Sequence, residues 1–473
     1  MSRWRSVSGS VCVAWLVLAP VVRAADWSEP AEVIYRDQRV VTFRARVEGG
    51  QLVIEARHED GWHTYALDNV ERARARSGNA EPETEMPLRI DVSGALQAVE
   101  PWYQSPPLDL GVPAATDLQA RIDAAEPGAV IEVPNGVYNQ PLHIEKGLTL
   151  KGSDSAFCVL KVEADVPAIW ITSKDPVRVE QLTIKWQRAT GRETEVTPAA
   201  VVIQDGDVEI RDCQFSATGD PVRSPCAVAA MGFSDVAIAK SVFSEFDFTI
   251  QFWDGAKGRV EHCLVLNPGH CGVTVGRGSA VAVRRNIVAG SAYHGVRCTG
   301  GTVTVEDNLI LHNRNRGIYL GNRTAHGTVR NNLILNNVTG IGVFADTDVV
   351  IENNVISGSE YAGIGTRDRS RIRVRNNVIS ANQRGIIVFE DLGTPRLDVG
   401  SNTFWGNETA AEDFELPSDT IETDPDFRNA ADGDFSRPPF GEGSARHGLS
   451  SPSEIALLWP SWQAVSTHVI AED

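Results

Sequence analysis

Side chains that can move protons and hold anions are concentrated between residues 270 and 319. The group contains two histidines, three arginines and two tyrosines, namely His270, Arg277, Tyr293, His294, Arg297, Arg316 and Tyr319. An imidazole can accept a proton near neutral pH, a guanidinium can hold a carboxylate, and a phenol can return a proton. These groups suit removal of the proton beside a carboxylate, the step shared by β-elimination and by C5 epimerisation of a uronate sugar.

Each member of the group has an expected role. We expect His294 or His270 to take the proton and Tyr319 to return one. An arginine would neutralise the carboxylate and so lower the barrier to proton removal. The candidates for this role are Arg297, Arg277 and Arg316. Further substrate contacts are expected from Tyr293, Asp254, Asp346 and Asp368.

A repeat of about 23 residues must bring these side chains together. One column of the repeat holds Asn308, Asn332, Asn354, Asn377 and Asn402, at steps of 24, 22, 23 and 25 residues. A second column holds Gly272, Gly295, Gly317, Gly340, Gly363 and Gly385, and each glycine starts a short apolar strand. A repeat of this period indicates a solenoid or a propeller. Each unit has three short alternating strands and no helical periodicity.

A parallel coil is the arrangement that fits this pattern. The repeat is too short for a WD40 blade and lacks the LxxLxL spacing of leucine-rich repeats. Each strand would pair with its copy one turn away, about 4.8 Å along the axis. The asparagines would take the left-handed backbone of a tight turn and form a ladder of stacked amides. Cys213 and Cys263 share that column and are expected to be small members of the ladder.

Both ends of the repeat region resemble a known class. The region opens with TDLQARIDAAEPGAVIEVPNGVYNQPLHIEKGLTLKG and ends with DPDFRNAADGDF. These segments resemble the first and last coils of the pectate-lyase-like β-helix proteins, which include the carbohydrate-binding and sugar-hydrolase repeats. The resemblance covers residues 116–430. It implies an all-β fold, a right-handed single-stranded parallel β-helix of about ten coils, whose glycine-led strands carry polysaccharide on their outer face.

The N-terminal residues have the pattern of an export signal. Residues 1–24 combine an early basic pair, Arg3 and Arg5, with an apolar stretch and small residues before Ala25. The apolar stretch is too short for a convincing membrane span. We therefore expect a secreted or periplasmic protein without a membrane span.

Residues 26–110 are expected to form a small β-sandwich-like module. The segments HEDGWHTYALDN and EPWYQSPPLDL resemble the N-terminal immunoglobulin-like domain of the thiol:disulfide interchange reductase. Disulfide exchange is excluded here, because no cysteine occurs between Cys12 and Cys158. Residues 431–473 are expected to form a loop-rich C-terminal cap.

Charge and composition limit the possible partners. Loss of residues 1–24 would remove three arginines and no acid, which changes the formal net charge from −18 to −21. This balance argues against nucleic-acid binding, and an anionic substrate would need a local cluster of arginines. Cysteines and histidines are too scattered for a specific transition-metal site, and we expect no cofactor. Calcium is conceivable at Asp346, Asp368 and Glu390, and the protein is expected to be a monomer.

Three functions remain open. Lyase or C5-epimerase action on a uronate-containing polysaccharide is favoured, because it uses the most residues of the cluster. Inverting hydrolysis would need Asp346 and Asp391, which lie two coils apart at about 9.6 Å by strand spacing, the edge of the usual range. The third possibility is a non-catalytic carbohydrate-binding scaffold or a periplasmic accessory solenoid.

Overall fold

The computed structural model describes residues 117–189, 198–217, 225–322, 325–389 and 394–427 of the solenoid, with residues 435 and 448–449, and four N-terminal strands. The signal segment 1–24, most of the N-terminal module and nearly all of residues 431–473 lie outside the described residues. The boundaries proposed for these segments therefore stay predictions. No described helix has the length and apolarity needed to cross a bilayer.

The N-terminal strands form one antiparallel sheet in sequential order. They are β1 (Ala31–Ile34), β2 (Val40–Glu48), β3 (Gln51–His58) and β4 (Gly61–Ala66). Strands β2 and β3 are the alternating pair that flanks Gly49 and Gly50, and Glu48 pairs with Gln51. A sandwich would need a second sheet, so that part of the prediction rests on residues outside the described strands.

A short helix begins the solenoid. Helix α1 (Leu118–Ala124) starts at Asp117, whose carboxylate accepts a hydrogen bond from the backbone N–H of Ala120 at 3.0 Å. Leu118 and Ile122 are buried against the first coils. The helix therefore covers the open end of the core.

The solenoid has three parallel 12-stranded sheets, because every coil contributes one strand to each. Sheet 1 contains β7 (Leu142–Ile144), β10 (Ile169–Ile171), β13 (Val201–Gln204), β16 (Cys226–Met231), β19 (Phe248–Phe252), β22 (Cys271–Val275), β25 (His294–Thr299), β28 (Arg316–Gly321), β31 (Thr339–Val343), β34 (Ala362–Arg367), β37 (Arg384–Phe389) and β40 (Thr409–Glu412). The glycine-led strands of the sequence analysis are β22, β25, β28, β31, β34 and β37. The parallel coil predicted from the repeat is confirmed.

Sheets 2 and 3 complete each coil. Sheet 2 contains β5 (Val130–Val133), β8 (Leu148–Gly152), β11 (Val177–Glu180), β14 (Asp207–Arg211), β17 (Asp235–Ala239), β20 (Lys257–Glu261), β23 (Ala280–Arg284), β26 (Thr302–Glu306), β29 (His326–Arg330), β32 (Asp348–Glu352), β35 (Arg371–Arg375) and β38 (Arg396–Gly400). Sheet 3 contains β6 (Gly136–Tyr138), β9 (Cys158–Glu163), β12 (Thr183–Gln187), β15 (Gln214–Ala217), β18 (Val242–Ser244), β21 (Leu264–Leu266), β24 (Ile287–Ala289), β27 (Leu309–Leu311), β30 (Leu333–Leu335), β33 (Val355–Ser357), β36 (Val378–Ser380) and β39 (Thr403–Trp405).

Stacks of identical side chains fill the core. Strand pairing places Ile318, Ile341, Ile364 and Ile386 one above another, and all four are fully buried. Side chains alternate across a strand, so every second residue enters this core and its neighbours face outward. The periodicity that predicts the strands thereby also fixes which residues of sheet 1 can meet a ligand.

The asparagine column forms a continuous ladder. From Asn286 to Asn402 each side-chain Nδ2 donates to the Oδ1 of the next asparagine at 2.9–3.0 Å. The expectation that the ladder asparagine itself is left-handed is wrong. The left-handed residue is the one before it, as at Asn353, whose φ is 57°. The ladder residue instead points inward, which lets its amide also donate to backbone carbonyls.

The cysteines of this column are inert parts of the core. Cys263 donates its backbone N–H to the Oδ1 of Asn286 at 2.8 Å, and Cys213 donates its own to the Oγ of Ser241. Burial raises the pKa of both thiols to about 12. The six described cysteines are all free and buried. Cys213 and Cys263 therefore serve as small ladder members, as predicted.

Candidate functional site

Two of the predicted site residues lie side by side on the outer face of sheet 1. Strand pairing aligns Thr274, Arg297, Tyr319 and Gly342 on β22, β25, β28 and β31. The residues on either side of Arg297, Val296 and Cys298, are fully buried in the core. Arg297 and Tyr319 consequently point away from the core, and both are partly exposed.

A second column lies beside the first. Strand pairing aligns Cys271, His294 and Arg316 at the start of the same strands. His294 is only 1% exposed, whereas Arg316 is half-buried. His294 therefore forms the floor of the cluster, below side chains that reach the surface.

Six rings form a continuous stack along this face, which we call the aromatic ladder. Successive ring centroids are 4.5, 4.7, 3.9, 4.8 and 5.7 Å apart. The rings belong, in order, to Phe248, His270, Tyr293, His294, Tyr319 and Phe344. Aromatic side chains with exposed polar ends offer a large apolar contact surface and hydrogen-bonding groups at once. Such a surface fits a ligand that has both C–H faces and hydroxyl groups.

His294 has the strongest electrostatic perturbation of the cluster. Its ring is nearly parallel to that of Tyr319, with an interplanar angle of 8°. Burial lowers the pKa of His294 to about 3, and the Arg316 and Arg297 cations and His270 contribute in the same direction. Its Nδ1 is buried and has no hydrogen-bond partner among the described residues. His294 is therefore neutral near pH 7, and the rings on both sides separate it from bulk solvent.

His270 is the imidazole that a ligand can reach. It is partly exposed, and its backbone N–H donates to the carbonyl of Asp247 at 2.7 Å. Burial is the main cause of its lowered pKa; the Asp247 carboxylate raises that pKa and the Arg297 cation lowers it. Its Nδ1 lies 3.0 Å from the Sγ of Cys271. In the tautomer in which Nδ1–H donates to that sulfur, Nε2 keeps the lone pair that a base requires.

Asp247 is a member of the site that the sequence analysis missed. It precedes His270 by 23 residues and lies one coil before it. Asp247 is half-buried, and burial raises the pKa of its carboxyl while His270 lowers it. The repeat period could have identified Asp247, because Asp247 and His270 are 23 residues apart and each directly precedes a strand of sheet 1.

Arg297 and Arg316 differ in their surroundings. Arg297 makes no ion pair among the described residues, so its charge is available to an anion. Arg316 lies 4.7 Å from the ring centroid of Phe344 and donates from Nη1 to the side-chain oxygen of Asn315 at 2.8 Å. Burial lowers the pKa of Arg316, and the charge of Arg367 lowers it further.

Four predicted residues lie in turns beyond the strand ends and not in the cluster. These residues are Asp254, Arg277, Asp346 and Asp368. The carboxylate of Asp346 accepts from the backbone N–H of Arg369 at 3.0 Å, and that of Asp368 accepts from Ala345 at 2.7 Å. Both aspartates thus join neighbouring turns of the solenoid.

The proposed calcium site and the proposed hydrolase pair each include a residue outside the described part of the chain. Glu390 and Asp391 lie outside the described residues, so the calcium group and the hydrolase pair that include them stay predictions. In the part of the chain that is described, no three His, Cys, Asp or Glu side chains are grouped so that they could hold a metal ion.

A second aromatic pair lies on sheet 1 towards α1, and the sequence analysis missed it. His143 stacks on Trp170 with centroids 4.7 Å apart, and its Nε2 is 3.0 Å from the Oγ1 of Thr172. Strand pairing places His143 and Trp170 in the column that later contains Arg297. Aromatic side chains therefore occur on this face both near α1 and in the middle of the sheet.

Comparison with known proteins gives a family and a set of similar folds. The model of the right-handed β-helix region matches residues 167–334 and 288–413. No curated protein matches the chain.

Three solved structures illustrate the similar folds. The periplasmic alginate epimerase AlgG is 15% identical, with 66% of this chain and 81% of that chain covered and a TM-score of 0.48. The A-module of the Azotobacter vinelandii mannuronan C-5 epimerase AlgE6 is 17% identical, with 65% and 94% covered and a TM-score of 0.49. A PL6 alginate lyase in complex with a trisaccharide is 13% identical, with 71% and 89% covered and a TM-score of 0.41. At these identities the chemistry has to be argued from the side chains of this chain.

Proposed function

The chain belongs to the right-handed β-helix family, and from this premise we propose that it binds a uronate-containing polysaccharide along sheet 1 and abstracts the C5 proton of one uronate. One observation carries the proposal. Arg297, which is not neutralised by any described carboxylate, is close enough to His270 to affect its pKa, on a face of stacked aromatic rings. We also propose that the protein acts outside the cytoplasm, as expected from residues 1–24.

Binding would combine two interactions. Sugar C–H faces would pack on the aromatic ladder, and the uronate carboxylate would accept hydrogen bonds from Arg297. The guanidinium is planar and can hold both carboxylate oxygens at once, which would fix the orientation of the sugar. The local positive charge of Arg297 would attract an anionic sugar although the whole chain has a net charge of −18.

Proton removal would follow from the same contacts. The charge of Arg297 stabilises the negative charge that develops on the carboxylate as the C5–H bond breaks. His270 Nε2 would take that proton, because His270 is neutral near pH 7 and partly exposed. His294 is buried and its pKa is about 3, so its proposed role is to hold the ring of Tyr319 in place.

The proton donor would decide between the two reactions. In β-elimination the C4–O bond breaks, a C4=C5 double bond forms, and the leaving oxygen takes a proton. In epimerisation the proton is returned to C5 from the opposite face. Tyr319 is the proposed donor, and its hydroxyl lies over Gly321, where any Cβ would collide with it.

A non-catalytic binding function is the second candidate. The burial of His294 favours it, because that histidine contributes to the stack without being available to a ligand. A solenoid that only binds would need the aromatic ladder and Arg297 but no base. It would therefore tolerate replacement of His270.

Incubation of the full chain with a panel of uronate polysaccharides tests the proposal. Absorbance from a new conjugated double bond would indicate a lyase, and uptake of solvent deuterium at C5 without cleavage would indicate an epimerase. His270→Gln should abolish either signal and leave binding intact. New reducing ends without unsaturation would instead support hydrolysis, and binding with no product would support the second candidate. Failure to bind any uronate polymer would refute both proposals.

A further inference from the structure

Two arginines share one buried aromatic ring on the C-terminal side of the proposed reaction site. The guanidinium carbons of Arg316 and Arg367 lie 4.7 and 5.1 Å from the ring centroid of Phe344. Phe344 is 4% exposed, so its ring is held in place by the groups around it. Cation–π contacts at these distances hold guanidinium groups in a defined place. We call Arg316, Phe344 and Arg367 the arginine clamp.

The arginine clamp has unused hydrogen-bonding capacity. The Nε of Arg316 is buried and has no hydrogen-bond partner among the described residues. Arg367 is exposed, and its Nε lies 3.6 Å from a carboxylate oxygen of Asp368, beyond ordinary hydrogen-bond length. That same oxygen accepts a hydrogen bond from the backbone of Ala345. Arg367 is therefore only loosely paired with a carboxylate that already has a structural partner, and Arg316 pairs with no carboxylate among the described residues.

Gly342 is needed for this arrangement, and its neighbour Gly365 is not. A Cβ at Gly342 would collide with the Cδ of Arg316 and lie 2.7 Å from a ring carbon of Phe344. A Cβ at Gly365 would meet nothing closer than 3.5 Å, an ordinary contact. The two glycines are paired on adjacent strands, so they form a matched test.

A third arginine, Arg384, also stacks on an aromatic ring, but its charge is neutralised by a carboxylate. The guanidinium of Arg384 lies 4.7 Å from the ring centroid of Tyr361, much like Arg316 on Phe344. Its Nε, however, donates to the carboxylate of Glu412 at 2.6 Å. Arg384 is therefore neutralised by a hydrogen-bonded carboxylate, whereas Arg316 pairs with no carboxylate among the described residues.

We infer that the arginine clamp is a second anion subsite, which binds the carboxylate of another sugar residue in the same polysaccharide chain. Arg316 reaches over Gly342 of β31, two strands beyond Arg297, so the two positions are about 10 Å apart along the axis. At this axial separation the two positions suit two different carboxylates. The inference rests on the proposed function and narrows its substrate to a polymer with charged groups on several sugar units.

Affinity measurements with oligouronates of increasing length test this inference. For chains long enough to reach both positions, Arg367→Gln and Gly342→Ala should weaken binding about tenfold and reduce its salt dependence. Uronate disaccharides and carboxyl-reduced oligosaccharides should not distinguish these variants from the wild type. Arg384→Gln and Gly365→Ala are the controls and should stay within about twofold. Circular dichroism would verify that Gly342→Ala is folded, and Arg367→Gln changes only an exposed side chain.

The possible failures can be told apart. If the wild type binds oligouronates but Arg367→Gln and Gly342→Ala bind long chains equally well, the second subsite is refuted while the proposed function stands. If sulfated but not carboxylated oligosaccharides respond to these variants, the assignment to a carboxylate is refuted. If the wild type binds no oligouronate, the proposed function fails together with the inference.

Discussion

Charged residues of the same types have different surroundings on sheets 1 and 2. At the last position of the sheet 2 strands, the sign of the charge alternates from coil to coil through Glu261, Arg284, Glu306, Arg330, Glu352 and Arg375. Glu306 lies 3.1 Å from Arg284 and 2.8 Å from Arg330. On sheet 1, Arg297 has no such partner among the described residues. The alternating charges of sheet 2 pair with one another, whereas Arg297 keeps a charge that is unpaired in the described part of the chain and that, under the proposed function, binds an external anion.

The largest expected effect is on the pH dependence of stability, and it compares His294 on sheet 1 with His326 on sheet 2. The pKa of His294 on sheet 1 is about 3, below its usual 6.5, so the unfolded chain binds a proton there more readily than the folded one. This stability is present above pH 6.5 and is lost as the pH falls towards 3, about 3 kcal/mol by pH 4. His294→Phe should remove that loss from chemical denaturation curves measured between pH 7 and 4. His326→Gln, an exposed histidine of sheet 2, should behave as the wild type, and an unchanged pH slope in His294→Phe would contradict the assignment.

Matched arginine variants give the next largest effect. Arg297→Gln should lower turnover of a uronate polymer by about 100-fold, because the carboxylate loses its neutralising partner. Arg284→Gln, one sheet away in the same region of the solenoid, should leave turnover unchanged. Initial rates of product formation would measure both. Equal losses in the two variants would mean that the sheets do not differ in function.

The role of Asp247 leads to a smaller effect with a defined sign. His270 must be neutral to act as a base. The rate should therefore fall as the pH drops through the lowered pKa of His270, and it should not depend on the protonation of His270 near neutral pH. The Asp247 carboxylate raises the pKa of His270, so Asp247→Asn should move the acidic limb of kcat/KM to lower pH. Asp348→Asn on sheet 2 serves as the control. A limb that stays in place after Asp247→Asn would exclude this coupling.

The smallest effect tests sheet 2 itself. Glu306→Gln should reduce the free energy of unfolding by about 1 kcal/mol, because two arginines lose their shared carboxylate. The loss should shrink in high salt, since exposed ion pairs are screened. Arg297→Gln should not destabilise the fold, as it breaks no described ion pair. Thermal denaturation at low and high salt would separate these outcomes, and a large salt-independent loss in Glu306→Gln would indicate a packing role.

Residue spacing predicts the parts of this molecule in which one coil repeats the next. The three strands per coil, the asparagine ladder and the outward direction of Arg297 and Tyr319 follow from the 23-residue step and two-residue alternation. The turns do not follow, because their course depends on single left-handed residues. Asp346 and Asp368, with φ of 60° and 63°, are examples whose carboxylates contact the backbone of a neighbouring coil.

Burial of His294 also could not be predicted from the sequence. Its position before Gly295 resembles that of Arg316 before Gly317, yet the imidazole lies between two tyrosine rings while the longer arginine extends towards Phe344. Whether the side chain is buried depends on its length and on the residues of the neighbouring coils, and residue spacing gives information on neither. The repeat step places Asp247 one coil before His270, but its effect on the pKa of His270 depends on how close the two side chains lie, which spacing does not give.

Each coil adds one strand to every sheet, and this has a consequence for how such a protein can change over time. Gain or loss of a whole repeat between Arg297 and the arginine clamp would shift their separation by about 4.8 Å. The interior would need no new packing solution, because each coil meets copies of the same side chains above and below. The distance between charges that the protein accepts can thus evolve in fixed increments by duplication or deletion of a segment.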